Sequence, residues 1–467
     1  MKRVVFGVAL AVVVVCVAAC AESFAASIGL IGDKEQLGEA AVVEEKESAE
    51  SDELPLIKLS TNGQQIQKET SIGAELSIVD SGMKANGEEP SLVSDIALKY
   101  RGNSSYLTFD KFSYRVTLLR DGEDGTESRK RDESLLGMAE DSEWVLYGPF
   151  LDRSLVRNRV MYGICREIMD WAPDTRWCEL MVDDVYQGIY LLVEPVRNSV
   201  GRLGLAEFGL LSGETAYIIK RDRPGTETNV IETYGNANGY TSQEVSIAYP
   251  SEGNVTDEQR SWIVSDFTQF ETALYGDSFA DSNVGYAAYI DIGSFVDYLL
   301  VNEFAMITDA SYLSTYVYKD LGGDEKLKMC VWDFNNGFDN YPWDIKLIDE
   351  FHVVDGNWYN RLVQDRAFVD AVCERWTELR GSVLSNDAIV ERIDLEYGSL
   401  GDALARNTEV WGYTYHESLL NMYEKDGRTR DDPSSPEEAI AMLKDTALAR
   451  AAWMDEHLDD LYAQCIN

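Results

Sequence analysis

Histidine is almost missing from this 467-residue chain: only His352, His416 and His457 are present. None stands at a metal-ligand spacing or beside a Gly-x-Ser-x-Gly serine, so zinc hydrolases and Ser-His enzymes are poor candidates. Cysteine is scarce and unpatterned. Five of the seven, Cys165, Cys178, Cys330, Cys373 and Cys465, lie in the body of the chain. They form no Cys-x-x-Cys pair, and an odd number cannot pair fully. Buried thiols are the expectation, although export would permit a Cys165–Cys178 bridge. The Walker spacing Gly-x-x-x-x-Gly-Lys-Ser/Thr is absent, and no internal repeat is visible. Basic residues are outnumbered by acids, 41 against 82, leaving a net charge of −41. Such a balance argues against nucleic acid and against an anionic membrane surface as partners. It leaves cationic proteins, or a charge that only keeps an exported chain soluble.

A long apolar run occurs only at the start. Lys2 and Arg3 precede Val4 to Ala19, a run too short for a comfortable membrane span. Val17-Ala18-Ala19-Cys20 resembles a bacterial lipobox, in which cleavage leaves an acylated cysteine at the new N-terminus. Two or more acyl chains would anchor the protein stably. The alternatives are ordinary secretion or an uncleaved anchor. Residues 1–20 are thus expected to be a signal peptide with lipobox and Cys20 the lipidation site. Residues 21–53, rich in Glu, Ala and Ser, read as an acidic flexible tether. The protein is expected on the outer face of the cell membrane, held there by its lipid anchor only.

Apolar residues make up 45% of the chain, enough for a substantial core. From Leu54 the pattern is strand-rich. Asp95 to Tyr100 leads into the polar loop Arg101-Gly102-Asn103-Ser104-Ser105, whose amides, with Arg101, could hold phosphate. The next strand, Lys111 to Leu119, carries Lys111, Ser113 and Arg115 on one face, either for a nucleotide's phosphates or as a solvent face. Asp152 to Ile168 has helical periodicity. Cys178 to Val182, a turn at Asp183-Asp184, and Gly188 to Val193 form a hairpin. It ends at Glu194-Pro195, where proline stops the sheet. Ala216 to Lys220 is another strand, and 221–250 a long loop or irregular hairpin. Thr256 to Tyr275 is a helix with Gln259 completing its cap. Trp358 to Leu384, Asn386 to Ala405 and Ser435 to Leu461 read as further helices. The fold class is α+β.

Between these halves lies the stretch Asn302 to Asn340. A helix with Ile292, Phe295, Val296, Leu299, Leu300 and Phe304 on its apolar face ends at Thr308-Asp309-Ala310-Ser311. Strands at Tyr312 to Tyr318 and Lys326 to Trp332 follow, joined by a Gly-rich turn. Asp309 therefore follows a helix and Asp333 a strand, with a hairpin able to bring them close. One carboxylate for a metal and one to accept a proton is what phosphoryl transfer asks of side chains. Alternatively, each Asp only fills a turn.

Several blocks in this order resemble the spore-coat CotH-type kinase family of atypical, secreted or sporulation-linked protein kinases. They are Lys99-Tyr100-Arg101-Gly102-Asn103-Ser104-Ser105, Lys111-Phe112-Ser113-Tyr114-Arg115, Trp144-Val145-Leu146, Asp152-Arg153-Ser154 with Arg157-Asn158, Gly188 to Glu194, Tyr217-Ile218-Ile219-Lys220 and Val331-Trp332-Asp333-Phe334-Asn335. The resemblance runs from about Leu54 to Leu461. It implies an atypical kinase-like two-lobed fold, with a β-rich N-terminal lobe over 54–195 and a mainly helical C-terminal lobe over 196–461. It implies an ATP- and Mg²⁺-dependent protein Ser/Thr kinase, with Mn²⁺ as a substitute. Asp309 would be catalytic and Asp333 and Asn335 metal ligands. Arg101, Lys111, Arg115, Glu194, Lys220 and Trp332 would meet the nucleotide, Glu194-Pro195 resembling a kinase hinge. The substrate would be a protein of the cell envelope or surface, expected to be cationic and Ser/Thr-rich. Ser314, Asn335 and Asp339 depart from the kinase pattern; the neutral oxygens of Ser314 and Asn335 still suit Mg²⁺ but with less charge. The rivals are a catalytically silent kinase-like binding domain and, from two carboxylates and 11% aromatics, a carbohydrate-active enzyme.

Overall fold

A computed structural model describes residues 53–466 apart from 85–88, 121–128, 208, 210–211, 224–227, 323–324 and 424–426. The expected lipobox at Cys20 and the tether up to residue 52 lie outside the described residues.

Alternation of apolar and polar residues builds the N-terminal part. Strands β1 (Leu56–Ser60), β2 (Ile72–Val79), β3 (Leu92–Arg101), β4 (Ser113–Arg120), β5 (Arg129–Lys130), β6 (Glu143–Tyr147), β7 (Thr175–Val182) and β8 (Val185–Val193) form one sheet of order β3-β2-β1-β7-β8-β6-β4-β5. A further β3–β4 pairing, from Asp95 opposite Leu119 to Arg101 opposite Ser113, joins its ends. Seven strands thereby close into a barrel that has no free edge. Leu76, Ile96, Leu98, Val116, Leu118, Trp144, Leu146, Leu180 and Leu192 fill its interior. The other face of β6, β7 and β8 (Val145, Trp177, Ile189, Leu191, Val193) joins the main core instead. Those strands are covered on both faces, which is why Trp144 to Leu146 in β6 and Ile189 to Val193 in β8 read as unbroken apolar runs. Asp183 and Asp184 form the hairpin turn as expected, both at positive φ.

The C-terminal part combines a small antiparallel sheet with helices. Its strands are β9 (Tyr217–Asp222), β10 (Val230–Ile231), β11 (Glu244–Tyr249), β12 (Thr315–Lys319) and β13 (Lys328–Cys330), in the order β10-β11-β9-β12-β13. The longer helices are α1 (Arg157–Ile168), α2 (Asp257–Tyr275), α3 (Ile292–Phe304), α4 (Arg366–Arg380), α5 (Asn386–Gly398), α6 (Ala403–Trp411) and α7 (Pro436–His457). The Thr256–Gln259 capping box starts α2, and Ser435 caps α7 with Pro436 in its first turn.

Boundaries depart from the sequence reading where a local signal overrode periodicity. The expected helix over Trp358 to Leu384 is interrupted: Asp365 accepts from the Ala367 N–H and starts α4 afresh. The expected helix over Asn386 to Ala405 ends at Gly398, and Gly401 adopts positive φ before α6 begins. The strand expected at Tyr312 starts only at Thr315, because Ser311 and Ser314 both sit at positive φ. Of the two readings of 221–250, a long loop or an irregular hairpin, the second holds: β10 and β11 pair antiparallel within it. All five cysteines of the domain are free, so no Cys165–Cys178 bridge forms. The α+β class holds, with a sheet-rich N-terminal region and helices towards the C-terminus.

Candidate active site

Four chain segments converge on one cavity. The end of β3 supplies Arg101, the end of β9 supplies Lys220 and Asp222, the turn after α3 supplies Asp309, and the exit of β13 supplies Trp332, Asp333 and Asn335. These residues line a space of about 460 Å³. Six of the sequence-predicted residues (Arg101, Lys220, Asp309, Trp332, Asp333, Asn335) are thus brought together, with Ser314 beside them.

Each carboxylate is held by backbone geometry. Met306 takes positive φ just after α3, and the Asp309 carbonyl accepts from the N–H groups of Tyr312 (3.0 Å) and Leu313 (2.7 Å). That tight turn leaves the Asp309 side chain to the cavity. Asp333 lies at φ +71°, a left-handed conformation that Asp tolerates better than most residues. Helix α1 fixes it there. Tyr162 Oη accepts from the Asp333 N–H at 3.0 Å, and Asn158 Oδ1 accepts from the Phe334 N–H at 2.8 Å. Arg157 Nε donates to the Gly337 carbonyl at 2.9 Å. The block Arg157-Asn158 thus serves to position the segment that carries Asp333. Gly102 is required in the β3 exit loop: it has φ +92°, and a Cβ would fall 2.2 Å from Ser105 Oγ.

The carboxylates disturb one another. Burial pushes the Asp333 carboxyl up to about 6; Arg101 opposes this, while Asp309 and Asp222 add to it. Burial likewise raises Asp309, against the pull of Arg223 and Lys346 and with a push from Asp222. The surrounding cations are partly engaged. The Arg101 guanidinium lies 5.2 Å from the Trp332 ring centre. Lys220 pairs with Asp222 at 2.8 Å, and Arg223 Nη1 donates to Ser104 Oγ at 2.7 Å.

The donor set suits a hard cation. Asn335 Oδ1 is buried and has no hydrogen-bond partner, and it lines the same cavity as the Asp333 carboxylate. Both offer oxygen. Among the described residues no group of three or more His, Cys, Asp or Glu side chains is placed to hold a metal alone. Mg²⁺ does not need one, because it commonly takes one or two carboxylates and completes its shell with phosphate and water.

Lys111, Glu194 and Arg115 stand outside this cavity. Lys111 precedes β4 rather than lying on it, and it turns inward. It is buried at 2% exposure, donates to Asn407 Oδ1 at 3.1 Å and has the Tyr190 and Trp411 rings over its ammonium. The expected shared face of Lys111, Ser113 and Arg115 is therefore replaced by Ser113 and Arg115 alone. Glu194 is buried and accepts from the Asp174 N–H at 3.0 Å, while its neighbour Pro195 borders a second cavity. Arg115 lines that second cavity and pairs with Glu143. Asp339 accepts from the Lys346 N–H at 2.7 Å and pairs with Arg430.

The second cavity, about 730 Å³, adjoins the first and shares Lys68, Arg101, Lys220 and Trp332 with it. Sequence reasoning missed Lys68, Asp222 and Arg223. Lys68 lies in a polar connection between β1 and β2, where no periodicity marks it; its ammonium donates to the Gly102 carbonyl. Asp222 and Arg223 lie two and three residues after Lys220, so prolonging that strand by two residues would have reached Asp222, with Arg223 next in the chain.

No curated protein shows significant similarity to the chain. The family model described as CotH kinase protein matches residues 98–454, from the end of β3 through nearly all of α7, a span that holds the lining of both cavities apart from Lys68 and Glu69. With the match extending over well more than half its length, the chain belongs to the CotH kinase protein family.

Proposed function

We propose that this protein is an ATP- and Mg²⁺-dependent protein Ser/Thr kinase, with Mn²⁺ as a substitute. It is anchored through Cys20 on the outer face of the cell membrane and acts on envelope or surface proteins. In this reading the segments over 54–195 and 196–461 act as the two lobes of a kinase-like fold. The observation that carries the reading is the convergence of Asp309, Asp333, Asn335, Arg101 and Lys220 on one cavity in a member of the CotH kinase protein family.

The roles follow from chemistry. Asp333 and Asn335 would hold the cation, which when bound neutralises charge on the β- and γ-phosphates. Arg101 and Lys220 bind phosphate oxygens, and the Trp332 face borders the nucleotide. The acceptor hydroxyl oxygen attacks the γ-phosphorus while the bond to the β-bridging oxygen breaks and ADP leaves. Asp309 orients that hydroxyl and takes its proton. Burial raises the Asp309 carboxyl, which brings it nearer the range of a working base.

Mass spectrometry of phosphosites after incubation with ATP and Mg²⁺ tests the activity. Phosphoserine or phosphothreonine is the expected product. A folded protein that neither transfers phosphate nor gains Tm from Mg²⁺-ATP would instead be a silent binding domain. For the anchor, Cys20→Ala should release the protein from the membrane fraction; sedimentation with membranes at high salt would refute lipidation.

A further inference from the structure

The second cavity is cationic in a chain that is otherwise strongly acidic. Its lining holds seven cations (Lys68, Lys99, Arg101, Arg115, Lys130, Arg197, Lys220) and three acids (Glu69, Glu143, Glu252). The whole chain has the opposite balance, 41 basic against 82 acidic residues. Glu143 faces Arg115, Lys130 and Arg197, and Arg197 also pairs with Asp141 at 2.9 Å behind the groove, so Arg115 and Lys130 share the one carboxylate of Glu143. Lys99 and Arg101 form no ion pair among the described residues. Lys99 also stands directly opposite Arg115 across the β3–β4 ladder. Like charges in that position destabilise a sheet. A groove that keeps them is organised around something negative that is not part of the fold.

The nucleotide does not account for all of this charge. Its phosphates, held near Asp333, meet Arg101, Lys220 and Lys68 in the first cavity. Lys99, Arg115, Lys130 and Arg197 line only the second. We propose that this groove docks the acceptor protein, and that the acceptor presents Asp and Glu residues beside its target Ser or Thr. The inference rests on the kinase reading and names its substrate class. It replaces the cationic substrate expected from net charge, because the local field at the groove, not the sum over the surface, meets the incoming segment.

Binding and turnover are measured separately on the full-length protein. Fluorescent Ser-containing peptides with acidic, neutral or basic flanks are titrated without nucleotide. The acidic peptide should bind at least tenfold tighter than the neutral one, weaken with salt, and lose most of that advantage in the Lys99→Ala/Lys130→Ala variant. In transfer assays the same variant should raise KM for the acidic peptide about tenfold. KM for ATP, and turnover of the neutral peptide, should not change. Equal binding of all three peptides, or preference for the basic one, overturns the proposal whether or not transfer occurs. So does complete displacement of the acidic peptide by ATP, since the groove would then belong to the nucleotide. Tight, salt-sensitive acidic binding without any transfer would refute the kinase reading and leave the docking surface standing.

Discussion

The two adjoining cavities share Arg101, Lys220 and Trp332 yet are built in opposite electrostatic senses. In the first, burial raises both Asp309 and Asp333, Asp222 adds to each and Asp309 adds to Asp333, so their ionised forms are held at a cost. In the second, burial alone would raise Glu143, but Arg115, Arg197 and Lys130 hold it down at about 2. Carboxylates crowded together and short of partners are poised to take up a cation or a proton. Glu143 among Arg115, Lys130 and Arg197, the last also paired with Asp141, is a structural clip, and Lys99 beside it adds positive charge with no ion pair among the described residues. On the proposed function, the difference separates the place of chemistry from the place where the acidic acceptor docks.

The largest way to break the comparison is to remove the carboxylate proposed to hold the cation. Asp333→Ala should abolish transfer, by about 10³-fold or more, because the missing ligand costs several kcal/mol of charge stabilisation. The Mg²⁺ dependence of ATP binding should vanish with it, as read by calorimetry. Retained Mg²⁺-dependent binding would mean that another residue holds the metal.

Glu143 gives the next effect, on stability. Its carboxyl is depressed from 4.5 to about 2, so its contribution is full above pH 4.5 and is lost as pH falls towards 2. A shift of that size corresponds to roughly 3 kcal/mol. Glu143→Gln should lose about that much at pH 7, and nothing at pH 2, in denaturant unfolding. An equal loss at both values would indicate packing instead of charge.

Asp309→Asn sharpens the division within the first cavity. The change is nearly isosteric, so Mg²⁺-ATP binding should survive while turnover falls roughly 10²-fold, the effect of losing a positioned base. Parallel loss of binding would put Asp309 in the metal's shell.

Much of this was legible in the chain itself. Strands β2, β3 and β4 of the barrel alternate, and the tight turns at Asp183-Asp184 and Gly102 carry their own signals. Asp309 and Asp333 could be found because each follows a periodic element. What could not be read was side-chain direction outside regular structure. Lys111 lies two residues before β4 begins, so the period of two did not apply to it, and it points into the aromatic contact of Tyr190 and Trp411. Glu194 lies one residue beyond β8 and folds back on Asp174 for the same reason. Lys68 sits in a connection that only tertiary structure brings to Gly102.

Lys111 supplies the last test, with the smallest expected effect on the site. It is a cation outside both cavities, and burial pushes its ammonium well below the usual lysine range. The unfolded chain therefore binds this proton more readily than the folded one, so the lysine lowers stability at neutral pH and the loss shrinks as pH rises. Lys111→Met keeps the stem's length and removes the buried charge. Asn407 Oδ1 is not orphaned, because it still accepts from the Ile189 N–H at 3.0 Å. The variant should be as stable as the parent or more so at pH 7, with a flatter rise of stability towards alkaline pH. Its affinity for Mg²⁺-ATP should change by less than about twofold, since Lys111 lines neither cavity. A tenfold loss of nucleotide affinity with normal folding would return Lys111 to the phosphates and break the partition between the two cavities.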